Sequence, residues 1–332
     1  MFTIRPFHAT DEEYARVVEI NNTLWPDDLR TVENVKYDDA ERNSSRFFQR
    51  LIIELAMPSA PAEEQGKIIG EASCGEEQWK DEPGRYFVNF CVDPRYAQLE
   101  YGENGIGIAV MAYVLNHLSQ REPKPNRLIT HCREDKADRL AFLKEQGYTV
   151  AMRSQESELD VTTFDPAPFV DKVQQVKLLG IEILTLLELS TRFNDWMARL
   201  YEMDMEILPD EPTTGKFTPE PIEEYAKMFS HPSFLAEGWI VALDGDQCVG
   251  SSSVWNNPAN PQKLYTNFTG VRRSHRRKGI ALALKLALIE YVQQRGATRL
   301  ITGNEENNPM YQINLKLGFK PQPGWLELHK RL

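Results

Sequence analysis

Cysteine is scarce in this chain, positive charge is in the minority, and no long apolar run occurs. The four cysteines, Cys74, Cys91, Cys132 and Cys248, are scattered through 332 residues without a Cys-x-x-Cys pair. That spacing disfavours a disulfide framework and a metal site, and it suits free thiols in a reducing cytoplasm. No metal is therefore expected. The longest stretch without a charged residue, Asn104 to Gln120, contains asparagines and His117 and reads as an amphipathic helix, so no membrane span is expected. No basic-plus-apolar leader is read at the start, which opens on a strand. Lys and Arg number 38 against 49 Asp and Glu, a net charge of −11, which argues against a general nucleic-acid surface.

What is present is the balance of a soluble globular protein, 41% hydrophobic and 26% charged. A chain of 332 residues suits two domains of about 160 residues each. The most informative stretch is 269–281, TGVRRSHRRKGIA. Val271 closes an apolar alternation (Leu264, Thr266, Phe268), and Ala281 opens a helical one (Leu282, Leu284, Leu286, Leu288). Between them Arg272, Arg273, Arg276, Arg277 and Lys278 crowd into seven residues. A strand, a basic loop with one glycine and a helix start present free N–H groups and cations together, the physical requirement for gripping phosphates. A basic run is also read as solvated surface, and the glycine as a plain turn glycine.

Arg276-Arg277-Lys278-Gly279-Ile280-Ala281 resembles the Gln/Arg-x-x-Gly-x-Gly/Ala loop with which the GNAT acetyltransferase superfamily holds the pyrophosphate of acetyl-CoA. Downstream, Thr302-x-Asn304-x-x-Asn307-x-x-Met310-x-x-x-Asn314-x-x-Leu317-Gly318-Phe319 is similar to that superfamily's second cofactor segment. The two matches stand in order, one strand and one helix apart.

The chain also repeats itself. Residues 2–28 and 180–212 share a strand, turn and helix ending in Trp-Pro-Asp-Asp and Leu-Pro-Asp-Glu. Gly105-Ile106-Gly107 and Gly279-Ile280-Ala281 lie 174 positions apart, and Gly147-Tyr148 and Gly318-Phe319 lie 171 apart. Near-constant offsets across unlike elements indicate duplication. Antiparallel hairpins followed by strand–helix–strand crossovers predict an α/β fold, each half a twisted mixed sheet flanked by helices. The expected division is residues 1–164, a linker over 165–179, and residues 180–332. Resemblance makes these tandem GNAT-like domains, with a layout similar to mycothiol-synthase-like proteins.

Only the second half looks competent. In the first, Gly102 stands where Arg276 stands in the second, and Glu100 and Glu103 place negative charge beside any phosphate, at a cost of about 1 kcal/mol or more each. His131-Cys132-Arg133 replaces the asparagine segment. The first half reads as a degenerate copy.

For the second half the resemblance implies an acetyl-CoA-dependent N-acetyltransferase acting by direct transfer on a primary amine of a small molecule. Thr269, Gly270 and Val271 would pair with the pantetheine arm, the Val271 N–H polarising the acetyl carbonyl. Arg276, Arg277, Lys278, Gly279, Ile280 and Ala281 would ring the pyrophosphate, and Arg272, Arg273 or Lys278 would reach the ribose phosphate or simply solubilise the surface. Asn304 and Asn307 would bond pantetheine amides or cap the next helix. Asn314 stands where many GNAT enzymes carry a tyrosine, which leaves Tyr311 as candidate acid or as a lining aromatic. Glu202, with Asp204 and Glu206 beside it, is the candidate base or part of a solvated helix face. His275 is read as part of the loop. The expected protein is a monomer or homodimer. The alternatives are a non-catalytic acyl-CoA-binding or sensing protein and a scaffold without ligand.

Overall fold

The computed structural model describes residues 2–56, 64–77 and 80–332. It divides into two compact units. The first comprises residues 1–153, 214–218 and 325–332, the second residues 154–213 and 219–324. In chain order the elements are β1 (Phe2–Pro6), α1 (Asp11–Leu24), α2 (Val32–Ala40), β2 (Phe48–Leu55), β3 (Ile68–Gly75), β4 (Arg85–Val92), α3 (Ile106–Leu118), β5 (Arg127–Arg133), α4 (Ala137–Glu145) and β6 (Thr149–Asp160). There follow α5 (Val170–Leu178), β7 (Ile181–Thr185), α6 (Leu186–Arg192), α7 (Trp196–Ile207), α8 (Ile222–Lys227), β8 (Trp239–Asp244), β9 (Gln247–Trp255) and β10 (Lys263–Val271). The last are α9 (Ile280–Gln294), β11 (Arg299–Glu305), α10 (Pro309–Lys316), β12 (Lys320–Pro321) and β13 (Trp325–Arg331).

Each unit is a mixed sheet with helices against it. The first has the order β1-β2-β3-β4-β5-β13, antiparallel except for β4 and β5, which run parallel because α3 crosses between them. The second has β7-β8-β9-β10-β11 and the end of β6, with β10 and β11 parallel across α9. Local chemistry starts the helices as expected: Thr10 caps α1 ahead of three acidic residues, and Thr185 and Glu188 form a reciprocal box on α6. The cores are separate clusters, one around Ile53, Ile69, Phe90, Ile106 and Val110, another around Val249, Leu264, Leu284 and Leu288.

The observed units depart from the expected division at both ends. β13 pairs antiparallel with β5 along seven residues, Trp325 opposite Arg133 through Arg331 opposite Arg127, and so completes the first unit's sheet. Residues 154–160 of β6 pair with β11, Asp160 opposite Arg299 through Ser154 opposite Glu305, and complete the second. The expected linker is not an open connector. Its α5 packs on α9, with Val176 buried in the second unit's core.

Candidate functional site

β10 and β11 pair only over Lys263–Tyr265 and Arg299–Ile301. Beyond that point they part, and the register between β10 and β9 shifts between Thr266 and Phe268. The parting opens a cavity of about 450 Å³ in the second unit. Thr266 to Val271 form one wall, Thr302 to Asn304 the other, Asn308 to Met310 and Ile313 the side, and His275, Arg276, Arg277 and Gly279 with the start of α9 the end. Main-chain direction follows from one bond. The Arg272 N–H donates to the Val249 carbonyl at 2.8 Å, so the N–H of Val271, one residue earlier, points away from β9 toward the parted side.

Gly279 has φ +84° and Arg277 φ +66°. The left-handed turn at Gly279 is why glycine suits the position, since a Cβ there would meet only Val176 at an ordinary 3.4 Å. Gly279 caps α9 without any side-chain hydrogen bond. The first intrahelical bond runs from the Ala283 N–H to the Gly279 carbonyl, which leaves the N–H groups of Ile280, Ala281 and Leu282 facing the cavity end without helical acceptors.

The loop's cations divide by partner. Arg272 is 6% exposed. Its Nε donates to the Cys248 carbonyl at 2.8 Å, and its other nitrogens bind Glu202 at 3.0 Å and Glu206. Arg273 and Arg276 both grip Asp210, and Arg276 Nε also donates to the Val271 carbonyl at 3.0 Å. The bonds from Arg273 and Arg276 pull the Asp210 carboxyl down to about 2. His275 is held between Ser274 and Asp244 and lines the cavity. Among the described residues Arg277 and Lys278 are exposed and make no ion pair.

Thr269, Gly270, Val271, Arg276, Arg277, Gly279, Ile280, Ala281 and Asn304 all line this cavity. Lys278, Asn307, Tyr311 and Glu202 do not. Asn307 folds back on Glu305, with its N–H and side-chain amide donating at 2.9 and 2.8 Å; the neighbouring Asn308 caps α10 and faces the cavity instead. Glu202 is spent on Arg272, as is Glu206 one helical turn on. Asp204, on the opposite face of α7, is sealed in the core against Tyr225. Asn314 is fully buried, its amide donating to Asn304 Oδ1 at 2.5 Å. Arg272 is thus a structural anchor and not a free phosphate ligand. Among the lining groups that escaped the sequence reading are Asn308, hidden beside Asn307, and Lys285, a lone charge in the apolar run of α9.

The first unit has corresponding elements, with side chains placed where β4 parts from β5. Arg139 of α4 donates to the Phe90 carbonyl at 2.8 Å, where β4 has left β5, and lies 4.4 Å over the Phe90 ring. A Cβ on Gly107, at the start of α3, would fall 2.6 Å from the Phe142 ring, which packs on Tyr101. Tyr101 in turn donates to Glu100 at 2.6 Å.

Residues 197–319 match the model of the acetyltransferase (GNAT) family. In fold the chain is similar to a tandem GNAT protein from the clavulanic acid biosynthesis pathway, with TM-score 0.74 and 17% identity over 100% of this chain and 98% of that one. It is also similar to a GCN5-related N-acetyltransferase from Sphaerobacter thermophilus, at 0.67 and 16% over 99% and 95%. A third likeness is to a GCN5-related glucosamine N-acetyltransferase region of a fungal multi-domain GH3 β-N-acetylglucosaminidase, at 0.71 and 13% over 99% of this chain and 38% of that one. No curated sequence matches the chain. The segment 197–319 belongs to the GNAT acetyltransferase family, and the chain as a whole has the tandem GNAT fold. Among the described residues no helix is long and apolar enough to cross a membrane.

Proposed function

We propose that the second unit is an acetyl-CoA-dependent N-acetyltransferase that acts on a primary amine of a small molecule. The observation that carries this reading is the parting of β10 from β11 directly against the uncapped start of α9. The residues present fit an acyl-CoA: Ile280, Ala281 and Leu282 offer free N–H groups at a positive helix end, Arg277 and Lys278 offer unpaired cations, and the strand wall offers unpaired main chain. Acetyl-CoA, when bound, supplies an activated thioester. The Val271 N–H, turned off β9, suits an oxyanion donor. Arg276, bonded to the Val271 carbonyl and to Asp210, fixes the strand end to the loop. Glu202 and Glu206 share Arg272 as ion-pair partner and neither lines the cavity, so they give no reason to expect a cationic acceptor.

A second reading, an acyl-CoA-binding protein without turnover, is favoured by one observation: Asn314 is buried on Asn304, and Tyr311 lies off the cavity wall. Calorimetric titration of acetyl-CoA tests the shared part, with one site expected. Thiol release over a panel of primary amines then separates the two. Turnover with any amine supports the transferase, and binding without turnover supports the sensor. Failure to bind acetyl-CoA removes both.

A further inference from the structure

Lys285 sits in the second turn of α9, about 8 Å along the axis from Ile280, and is 2% exposed. Leu284 and Leu286 flank it in a buried apolar stretch. Among the described residues it has no hydrogen bond and no ion pair; its Nζ lies 5.7 Å from the centre of the Phe319 ring. The side chain nevertheless opens onto the cavity that β10, β11 and α10 enclose. A buried amine without an acceptor is costly, and here it opens onto a cavity from which an acceptor can come.

Burial alone brings this ammonium down to about 7. No charged neighbour offsets it. On the cavity wall Asp210, Glu211, His275, Arg276 and Arg277 gather at the loop end. Around α9, Asp244 of β8 meets His275, Glu182 of β7 meets Arg192, and Asp171, Lys172 and Lys177 of α5 are exposed. On β10, Lys263 lies over Tyr265; on β11, Arg299 meets Glu158 and Glu305 meets Asn307. Cys248 on β9 packs in a different cluster, and Lys316 of α10 and Lys320 of β12 are exposed.

We propose that Lys285 is a ligand-binding residue of this cavity, its Nζ donating to a carbonyl oxygen of the acyl-pantetheine arm beyond the phosphates. This rests on the acyl-CoA reading of the cavity. The arm's amide and thioester carbonyls are acceptors of the right chemistry, and the phosphates belong to the loop end. A bound acceptor stabilises the charged amine, so the arm's arrival draws a proton onto Lys285.

The test compares acetyl-CoA with adenosine 3′,5′-bisphosphate, which keeps nucleotide phosphates but lacks the arm, on the full chain and on Lys285→Met. The variant removes a buried amine, so it is expected to fold and to melt higher than the parent. Acetyl-CoA should bind it roughly 10- to 100-fold more weakly, the loss of a charged hydrogen bond, with the bisphosphate unchanged within about twofold on that same account. Calorimetry at pH 8 in two buffers of different ionisation enthalpy should show proton uptake with acetyl-CoA for the parent and less for the variant. Equal weakening of both ligands, no weakening, or undiminished uptake would overturn the role of Lys285 while leaving the acyl-CoA reading intact. A parent protein that binds neither ligand would remove both.

Discussion

Asp204 accepts a hydrogen bond of 2.5 Å from the Tyr225 hydroxyl inside the second unit, and its other oxygen has no partner among the described residues. Burial raises the carboxyl from its ordinary value of 3.8 to about 7, so the folded protein holds it protonated where the unfolded chain has lost the proton. Stability from this group is unaffected below about pH 4, declines as pH rises toward 7, and levels off above. Asp204→Asn should remove that decline and be more stable than the parent at pH 8 by on the order of 4 kcal/mol at most. Urea denaturation at pH 5 and pH 8 checks it; parallel shifts of both proteins would count against the account.

At Gly279 the left-handed backbone makes any side chain unwelcome. Gly279→Ala should cost about 1–2 kcal/mol from strain alone. Gly279→Glu adds a carboxylate at the positive helix end and should abolish acetyl-CoA binding in calorimetry. Gly105, its counterpart, has φ −75°, but a Cβ there would lie 2.6 Å from the Tyr101 main chain. Gly105→Ala should lower the melting temperature and leave one-site binding in place.

Gly270 is required for room. An added Cβ would fall 2.5 Å from the Phe268 ring and 2.9 Å from Ile207, both on the cavity wall. Gly270→Ala should destabilise by about 1–3 kcal/mol and weaken acetyl-CoA binding by roughly tenfold, as a displaced wall would. Thermal melts and titration together test this, and an unchanged affinity would show that the wall does not touch the ligand.

Glu202 and Tyr311 stand off the cavity. Glu202→Gln and Tyr311→Phe should each keep thiol-release rates within about threefold, well short of the roughly hundredfold loss expected of a general base or acid. Glu202→Gln should cost about 1 kcal/mol or less, since Glu202 itself is exposed and Glu206 still holds Arg272. A hundredfold fall in either would restore it as a proton carrier.

The turn between β10 and α9 was legible because its requirements are local. A left-handed residue between a strand and a helix calls for glycine, and the sequence has Gly279 there. The hairpins and crossovers were legible for the same reason. Pairing across distance was not. Nothing near Arg272 reveals that Glu202 and Glu206, on α7, will take it, and nothing in Trp325–Arg331 reveals which sheet that strand joins, since its alternation suits either. Arg139 on the Phe90 carbonyl was equally hidden. Asn308 was lost beside Asn307, whereas Lys285 stood in plain view inside a run read only for its leucines.

The placement of β13 bears on the order in which the polypeptide is made. The first unit's residues leave the ribosome early, yet β5 has its antiparallel neighbour only after residue 331 has been added. Until then that strand offers a bare hydrogen-bonding edge. An expression fragment cut at residue 164 would keep this edge exposed permanently, and one starting at 180 would strip β11 of its β6 partner. The halves of the gene record a duplication, but neither half encodes a whole sheet.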